Sequence, residues 1–84
     1  MNSNKILVQV YLPLLEEEYD MFIPINKRIG TIKQLFESNI ASQNSNYEVR
    51  EDTNFYSRET GLPYDVQLLV KDSGLKNGSR IILL

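Results

Sequence analysis

The sequence predicts an α+β fold in which one helix packs across one face of a mixed sheet of four to five strands. Three observations carry this prediction: two alternating apolar runs come first, one stretch of helical periodicity follows, and an apolar run comes last. The order is strand, strand, helix, strand, short strand, strand. Because a chain of 84 residues with 42% hydrophobic content is sized for one core, we expect one domain spanning residues 1–84.

The first two strands are predicted to form a hairpin. Residues 5–12 alternate so that one face is fully apolar, and a second alternating run covers residues 19–25. Pro13 and the acidic residues 16–18 separate the two runs, as a loop between strands would. The side chains predicted to face the helix are Ile6, Val8, Val10, Leu12, Tyr19, Met21, Ile23 and Ile25.

A helix is predicted to begin at Thr31 and to end near Gln43. Thr31 and Gln34 have the spacing of a capping box, in which each side chain accepts a hydrogen bond from the other residue's backbone. The predicted buried stripe repeats at i, i+3, i+4 and i+8 and consists of Ile32, Leu35, Phe36 and Ile40. The predicted solvent-exposed side consists of Lys33, Glu37 and Ser38.

The second half of the chain predicts another hairpin and a final strand. Residues 53–57 are aromatic and β-prone, and Gly61 supplies a residue that can adopt positive φ in the following turn. Residues 62–64 are predicted to return as a short edge strand. Two glycine-marked turns then lead into the final apolar strand, which ends the chain at Leu84.

The composition excludes several classes of function. Cys and His are both absent, so the chain has no thiol nucleophile, disulfide or imidazole base, and it lacks the soft ligands of a zinc site. No spacing aligns a nucleophile with a base, so we expect no catalytic residues, no cofactor and no enzyme activity. A net charge of -2 and a pI near 5.0 argue against a dedicated nucleic-acid binder.

The amino-terminal apolar run does not have the features of a targeting segment. The run from Ile6 to Leu15 is interrupted by Gln9 and Pro13, and no small-residue cleavage site follows it. We therefore expect no signal peptide and no insertion into a membrane. The absence of Cys agrees with a cytoplasmic location.

The order of elements resembles the ubiquitin-like β-grasp family over nearly the whole chain. Thr31-Ile32 resembles the family's entry into the helix, and residues 72–81 resemble its turn before the last strand. The resemblance implies that the last strand lies beside the first and parallel to it, that Leu75 fills the core and that Gly78 permits a tight bend. The Arg-Glu-Thr-Gly sequence at 58–61 and residues 72–80 most resemble the YukD and EsaB type, small bacterial ubiquitin-like proteins of type VII secretion systems.

This resemblance implies a cytoplasmic protein-protein adapter or regulator of a secretion system. Conjugated ubiquitin-like proteins and β-grasp sulfur carriers need a flexible tail that ends in Gly-Gly, whereas this sequence ends in Ile-Ile-Leu-Leu at 81–84. Covalent conjugation and sulfur transfer are therefore not expected. The expected partner is a protein, either a secretion-system subunit or a second copy of the chain.

The predicted binding site is the sheet face that points away from the helix. If the inward residues pack under the helix, strand alternation turns the opposite side chains outward and makes that face apolar. A contiguous apolar patch of several hundred Å² marks an interaction site in many proteins. The predicted partner-binding residues are Leu7, Tyr11, Phe22, Tyr56, Ile82 and Leu84.

Two other clusters offer alternative functions. Glu16, Glu17, Glu18 and Asp20 could attract a hard cation or a basic partner, but they lack the register of a calcium loop and are interpreted as a solubility feature that also protects a sheet edge. Basic and aromatic residues also interleave in the second half, a pattern that can bind single-stranded nucleic acid. They are Tyr47, Arg50, Phe55, Tyr56, Arg58 and Tyr64, and they make a nucleic-acid-binding β-grasp module the alternative function.

Overall fold

A computed structural model describes residues 4–84 and shows a four-stranded mixed sheet with one helix across one face. The predicted fold class is therefore confirmed. The elements are β1 (Lys5–Leu12), β2 (Glu17–Pro24), α1 (Ile29–Gln43), β3 (Phe55–Ser57) and β4 (Ser79–Leu83), with a short 3-10 helix at Val70–Asp72. The strands lie in the order β2-β1-β4-β3.

The pairing of the strands agrees with the β-grasp arrangement. β1 and β2 are antiparallel over their full lengths, with Leu7 opposite Phe22. β4 lies parallel to β1, so the last strand is central and adjacent to the first. β3 pairs antiparallel with β4 and forms the far edge of the sheet. This register brings residues that are distant in the sequence onto one face.

The core lies between the inner face of the sheet and α1. The inward residues of β1 and β2 were predicted correctly: Val8, Val10, Leu12 and Ile23 are buried, and the remaining four pack against them. Phe36 of α1 stacks edge-on against Tyr19 with ring centroids 5.5 Å apart and contacts Phe55 at 6.2 Å. Such aromatic pairs favour tilted over face-to-face geometry because of the ring quadrupoles.

The helix begins two residues earlier than predicted, and the expected capping box is absent. Arg28 is the N-cap residue and makes no side-chain capping hydrogen bond. Instead, the backbone N–H groups of Ile29 and Gly30 donate to the carbonyls of Leu68 and Val66 at 2.9 and 3.0 Å. Backbone carbonyls from another segment thus satisfy donors that a helix start leaves free, so no side-chain cap is required.

Gly30 allows a close approach of the backbone where this segment meets the helix. A Cβ at Gly30 would lie 3.3 Å from the carbonyl oxygen of Val66, which is tighter than an ordinary van der Waals contact. The absence of a side chain at this position therefore allows the backbone at Val66 to approach the first turn of α1 closely enough to accept its hydrogen bond.

The buried face of α1 is rotated relative to the prediction. Leu35 was predicted to be buried but is 59% exposed, whereas Lys33 and Glu37 were predicted to face solvent and are buried. With Ile29 inside the helix, the buried stripe centres on Ile29, Phe36 and Ile40. At 3.6 residues per turn, Lys33 and Glu37 lie beside this stripe and Leu35 lies away from it.

The second half forms a hairpin that is shorter than predicted. The segment 62–64 pairs through a single bridge between Pro63 and Tyr56 instead of forming an edge strand. Proline supplies no backbone N–H, which limits the ladder at this edge. Leu75 is buried as predicted, and Gly61 and Gly78 have φ values of 76° and 90°.

No helix within residues 4–84 combines the length and the apolar character that crossing a membrane requires. The described part of the chain therefore contains no helical membrane span.

Candidate protein-binding surface

The register of the sheet aligns three of the predicted binding residues across three strands. Tyr11 of β1 lies opposite Ile82 of β4, and Ile82 lies opposite Tyr56 of β3. Opposed residues in adjacent strands are close enough for their side chains to touch on one face. All three side chains are half-buried, so each still presents surface to solvent. We call Tyr11, Ile82 and Tyr56 the outer row.

Arg58 covers one end of the outer row. Its guanidinium lies 5.5 Å from the centre of the Tyr11 ring, in cation–π geometry, and donates to Glu18 Oε2 at 2.6 Å. The turn that follows β3 positions Arg58, whose backbone N–H donates to the carbonyl of Arg80 at 3.0 Å. An aromatic row capped by an oriented arginine combines the side chains that are enriched at the centres of protein interfaces.

Leu7 and Phe22 form a second, separate apolar area on the same face. They are opposed across β1 and β2, and Phe22 is 69% exposed. Between this pair and the outer row lie Gln9 and Asp20, which are also opposed, and Arg80, whose Nε donates to Gln9 Oε1 at 3.4 Å. The outer face therefore has two apolar areas divided by a polar band, in place of the continuous apolar patch that alternation alone predicts.

Leu84 lies just past the end of β4 and belongs to a different concavity. Its backbone N–H donates to the carbonyl of Asn54 at 3.1 Å, and the Asn54 N–H donates back to the Leu84 carbonyl at 2.8 Å. The side chain is 59% exposed and faces a groove at the end of the sheet. The structure thus places Leu84 beside, but not within, the outer row.

This end groove is a functional candidate that sequence reasoning missed. It has a volume of about 390 Å³ and is lined by residues 12–14 at the end of β1 and in the turn after it, by Tyr47, Arg50 and Thr53 of the loop after α1, and by residues 83–84. Leu14 is 70% exposed at its rim. The one sequence signal was Leu14, an apolar residue in the turn between Pro13 and the acidic residues 16–18.

A buried ion pair fixes the loop that lines the end groove. Lys33 Nζ donates to Glu37 Oε1 at 2.7 Å and to the carbonyl of Arg50 at 2.9 Å. Glu37, which is fully buried, also accepts from the Tyr47 hydroxyl at 2.6 Å and from the Thr53 hydroxyl at 3.2 Å. We call these groups the buried network. Burial of the two charges is tolerated because each finds oppositely charged or hydrogen-bonding partners.

Tyr47 is expected to make the folded protein less stable as the pH rises above 10. Burial, and then the hydrogen bond to Glu37, raise the pKa of Tyr47 above its ordinary value of 10.0. Above pH 10 the unfolded chain therefore loses this proton before the folded chain does, and the free energy of unfolding falls as pH rises. The pKa of Tyr19 is raised as well, by burial and by its hydrogen bond to Glu17, so Tyr19 contributes in the same direction.

We expect Tyr47→Phe to destabilise the protein at neutral pH by about 1.5–3 kcal/mol, because a hydrogen bond to a carboxylate is lost. Its stability should fall less steeply between pH 10 and higher pH than that of the wild type. Urea denaturation across this pH range measures both effects. Parallel pH profiles for the two proteins would contradict the role assigned to Tyr47.

The basic and aromatic residues of the alternative function do not form a common surface. Tyr47 and Phe55 are buried, so nucleic-acid bases cannot stack on their rings. Arg50 is paired with Asp52 through two hydrogen bonds of 3.0 and 2.9 Å. Arg58 is paired with Glu18. These interactions neutralise the charges that would bind phosphate.

A further concavity, of about 660 Å³, lies between the 57–65 hairpin and the turn at 73–80. The serine hydroxyls that line it form hydrogen bonds within the turns. Ser57 Oγ accepts from the backbone N–H groups of Glu59 and Thr60 at 3.2 Å, and Ser79 Oγ accepts from the Lys76 N–H at 3.0 Å. Such local bonds are typical of turn-forming serine.

Within residues 4–84, no three acidic side chains are grouped so that they could hold a metal ion.

Comparison with known proteins shows likeness in structure only. No protein-family model matches the sequence, and no curated protein matches it. Among solved structures, a chain from the structure called "Molecular Mimicry of SUMO promotes DNA repair" has a TM-score of 0.75 at 11% identity, and the match covers 100% of this chain and 95% of that one.

Two further structures show the same likeness. The ubiquitin-like domain of an Arabidopsis thaliana protein has a TM-score of 0.67 at 17% identity, with 96% of this chain and 77% of that chain covered. A chain of the MycP5-free ESX-5 inner membrane complex has a TM-score of 0.75 at 10% identity. That match covers 96% of this chain and 21% of the neighbour's. The chain therefore has a ubiquitin-like fold.

Proposed function

We propose that this chain is a non-enzymatic protein-protein interaction module whose outer sheet face binds a protein partner. The observation that carries the proposal is the outer row of Tyr11, Ile82 and Tyr56 with Arg58 stacked on its end. Tyrosine and arginine supply a large share of binding energy at protein interfaces, because they combine broad apolar contact with directed hydrogen bonds. The binding is non-covalent and uses the side chains of the sheet.

The chemistry of this face favours a protein over a nucleic acid. The polar band of Gln9, Asp20 and Arg80 mixes donors and acceptors beside apolar side chains, as the rims of protein interfaces do. Asp20 is exposed on the same face and would repel phosphate, and Glu18 already pairs with the Arg58 guanidinium. Leu7 and Phe22 extend the contact area beyond the outer row.

We further propose that the partner belongs to a bacterial type VII secretion system, in which this chain acts in the cytoplasm as an accessory or regulator. The sequence at 58–61 and at 72–80 supports the assignment through its resemblance to the YukD and EsaB type. The likeness of fold to a chain of the ESX-5 inner membrane complex agrees with it.

The test is affinity capture from the source cells, with the captured proteins identified by mass spectrometry. Wild-type protein should recover secretion-system subunits, and the double variant Tyr56→Ala, Arg58→Ala should lose them. Each removed hot-spot side chain costs about 2 kcal/mol, or roughly thirtyfold in affinity. Leu35→Ala is the matched control, because Leu35 is exposed on the helix at the opposite side of the sheet and its loss should change nothing.

Three outcomes would contradict parts of the proposal. If Leu35→Ala loses the partner to the same extent as the double variant, the outer face is not the binding site. Recovery of subunits from an unrelated assembly would overturn the secretion assignment and keep the binding role. Recovery of nucleic acid, or of the chain itself and nothing else, would overturn the adapter role.

A further inference from the structure

We infer that the end groove is a second docking site, which takes a short basic segment of a partner protein and buries one aliphatic or aromatic side chain of that segment. The groove lies at the end of the sheet and is a different surface from the outer row, so the inference goes beyond the function proposed above. Its lining is mainly apolar, with Leu14 and Leu84 exposed by 70% and 59%. Its volume of about 390 Å³ falls within the range of small binding sites.

The buried network holds the groove open in a fixed shape. Tyr47 and Thr53 line the groove, and their hydroxyls donate to the buried carboxylate of Glu37. The backbone of Arg50, also in the lining, accepts a hydrogen bond from Lys33. The loop has no regular secondary structure between 44 and 54, yet three of its groove residues are anchored to α1. A preformed groove loses little conformational freedom when a ligand enters it.

Charge identifies the kind of segment that fits. Four acidic residues lie next to lining residues in the sequence: Glu16 follows the Leu14 turn, and Glu48, Glu51 and Asp52 are interspersed with the loop residues that line the groove. All four are exposed. Arg50 is the cation of the lining, and Asp52 neutralises it through a bidentate pair at 3.0 and 2.9 Å. A mainly apolar groove with exposed carboxylates in the adjoining turn and loop is complementary to an apolar side chain flanked by lysine or arginine.

The first experiment selects short random peptides displayed on phage against the wild-type protein. Enriched peptides should carry Leu, Ile or Phe flanked by Lys or Arg. The most enriched peptide, made synthetically, is then added to ¹⁵N-labelled protein while NMR spectra are recorded. The amide signals of Leu14, Arg50, Thr53 and Leu84 should move, and that of Leu7 should stay in place.

Two variants separate the apolar and the charged parts of the inference. Leu14→Ser, a change at an exposed residue, should lower the affinity for the peptide by about tenfold or more, because the apolar contact of a leucine side chain is lost. The double variant Glu48→Gln, Glu51→Gln should weaken peptide binding severalfold. Its affinity should also change less with salt concentration, because the two charges that salt would screen are gone. Leu35→Ser should leave the affinity unchanged.

Several results would overturn the inference. Selection of no peptide, or of acidic peptides, would contradict the chemistry assigned to the groove. Signals that move only on the outer face would place the peptide at the proposed partner site. Equal weakening by Leu14→Ser and Leu35→Ser would show that the contact at Leu14 is not specific.

Discussion

Replacing Glu37 with alanine is expected to destabilise the protein by about 3–5 kcal/mol, because it leaves the ammonium of Lys33 buried without its counter-charge. The same change removes the carboxylate that accepts from the Tyr47 and Thr53 hydroxyls. For a chain of 84 residues this is a large part of a total stability of about 0.05–0.15 kcal/mol per residue. Urea denaturation followed by circular dichroism measures it.

The matched control replaces both charges at once. Lys33→Met with Glu37→Leu removes the pair without stranding either charge, so it should cost much less than Glu37→Ala alone or should stabilise the protein. The two hydroxyls of the loop then lose the Glu37 carboxylate as an acceptor, and peptide binding at the end groove should weaken although the fold persists. If the double variant is as unstable as Glu37→Ala, the loss is not caused by a buried Lys33 ammonium without its counter-charge.

Phe55→Ala is expected to cost about 3–5 kcal/mol, which makes it the largest apolar truncation we predict. Phe55 is 1% exposed, contacts the ring of Phe36 and lies opposite Leu83 in the sheet. Its removal leaves a cavity between the helix and the strands that the surrounding backbone cannot close. Thermal and urea denaturation both report the loss.

Phe22→Ala makes the same chemical change at a residue that is 69% exposed. Since surface truncations away from special features change stability by about 0.5 kcal/mol or less, this variant should unfold close to the wild type. Similar losses for the two phenylalanine variants would show that the core is not centred where the structure places it. Phe22→Ala also serves as a stable protein for testing the outer face.

The strands were predictable because their signal is local. Alternation in β1 and β2 assigns each side chain to a face without knowledge of any partner strand, and Val8, Val10 and Ile23 lie where alternation puts them. The parallel pairing of β1 with β4 joins residues some seventy positions apart and was supplied by family resemblance. Alternation therefore identified Tyr11 and Ile82 as outward, and only the register shows that they are neighbours.

The errors arose where distant segments override local preference. Charged residues at 33 and 37 are ordinarily exposed, and their burial depends on Tyr47 and Thr53 in a loop without periodicity. The helix start was misplaced because the carbonyls of Val66 and Leu68 replace a side-chain cap. The end groove was missed for the same reason, since its walls come from a turn, a loop and the end of β4.

The central claim, that the outer sheet face binds a protein, is tested most directly by NMR cross-saturation in the complex with the captured partner. Saturation passes from the unlabelled partner to methyl groups of this chain that touch it. If the outer face is the site, the Ile82 methyl signals should lose intensity strongly, those of Leu7 should lose it in part and those of Leu35 should keep it. Loss at Leu35 with full intensity at Ile82 would place the partner on the helix and contradict the claim.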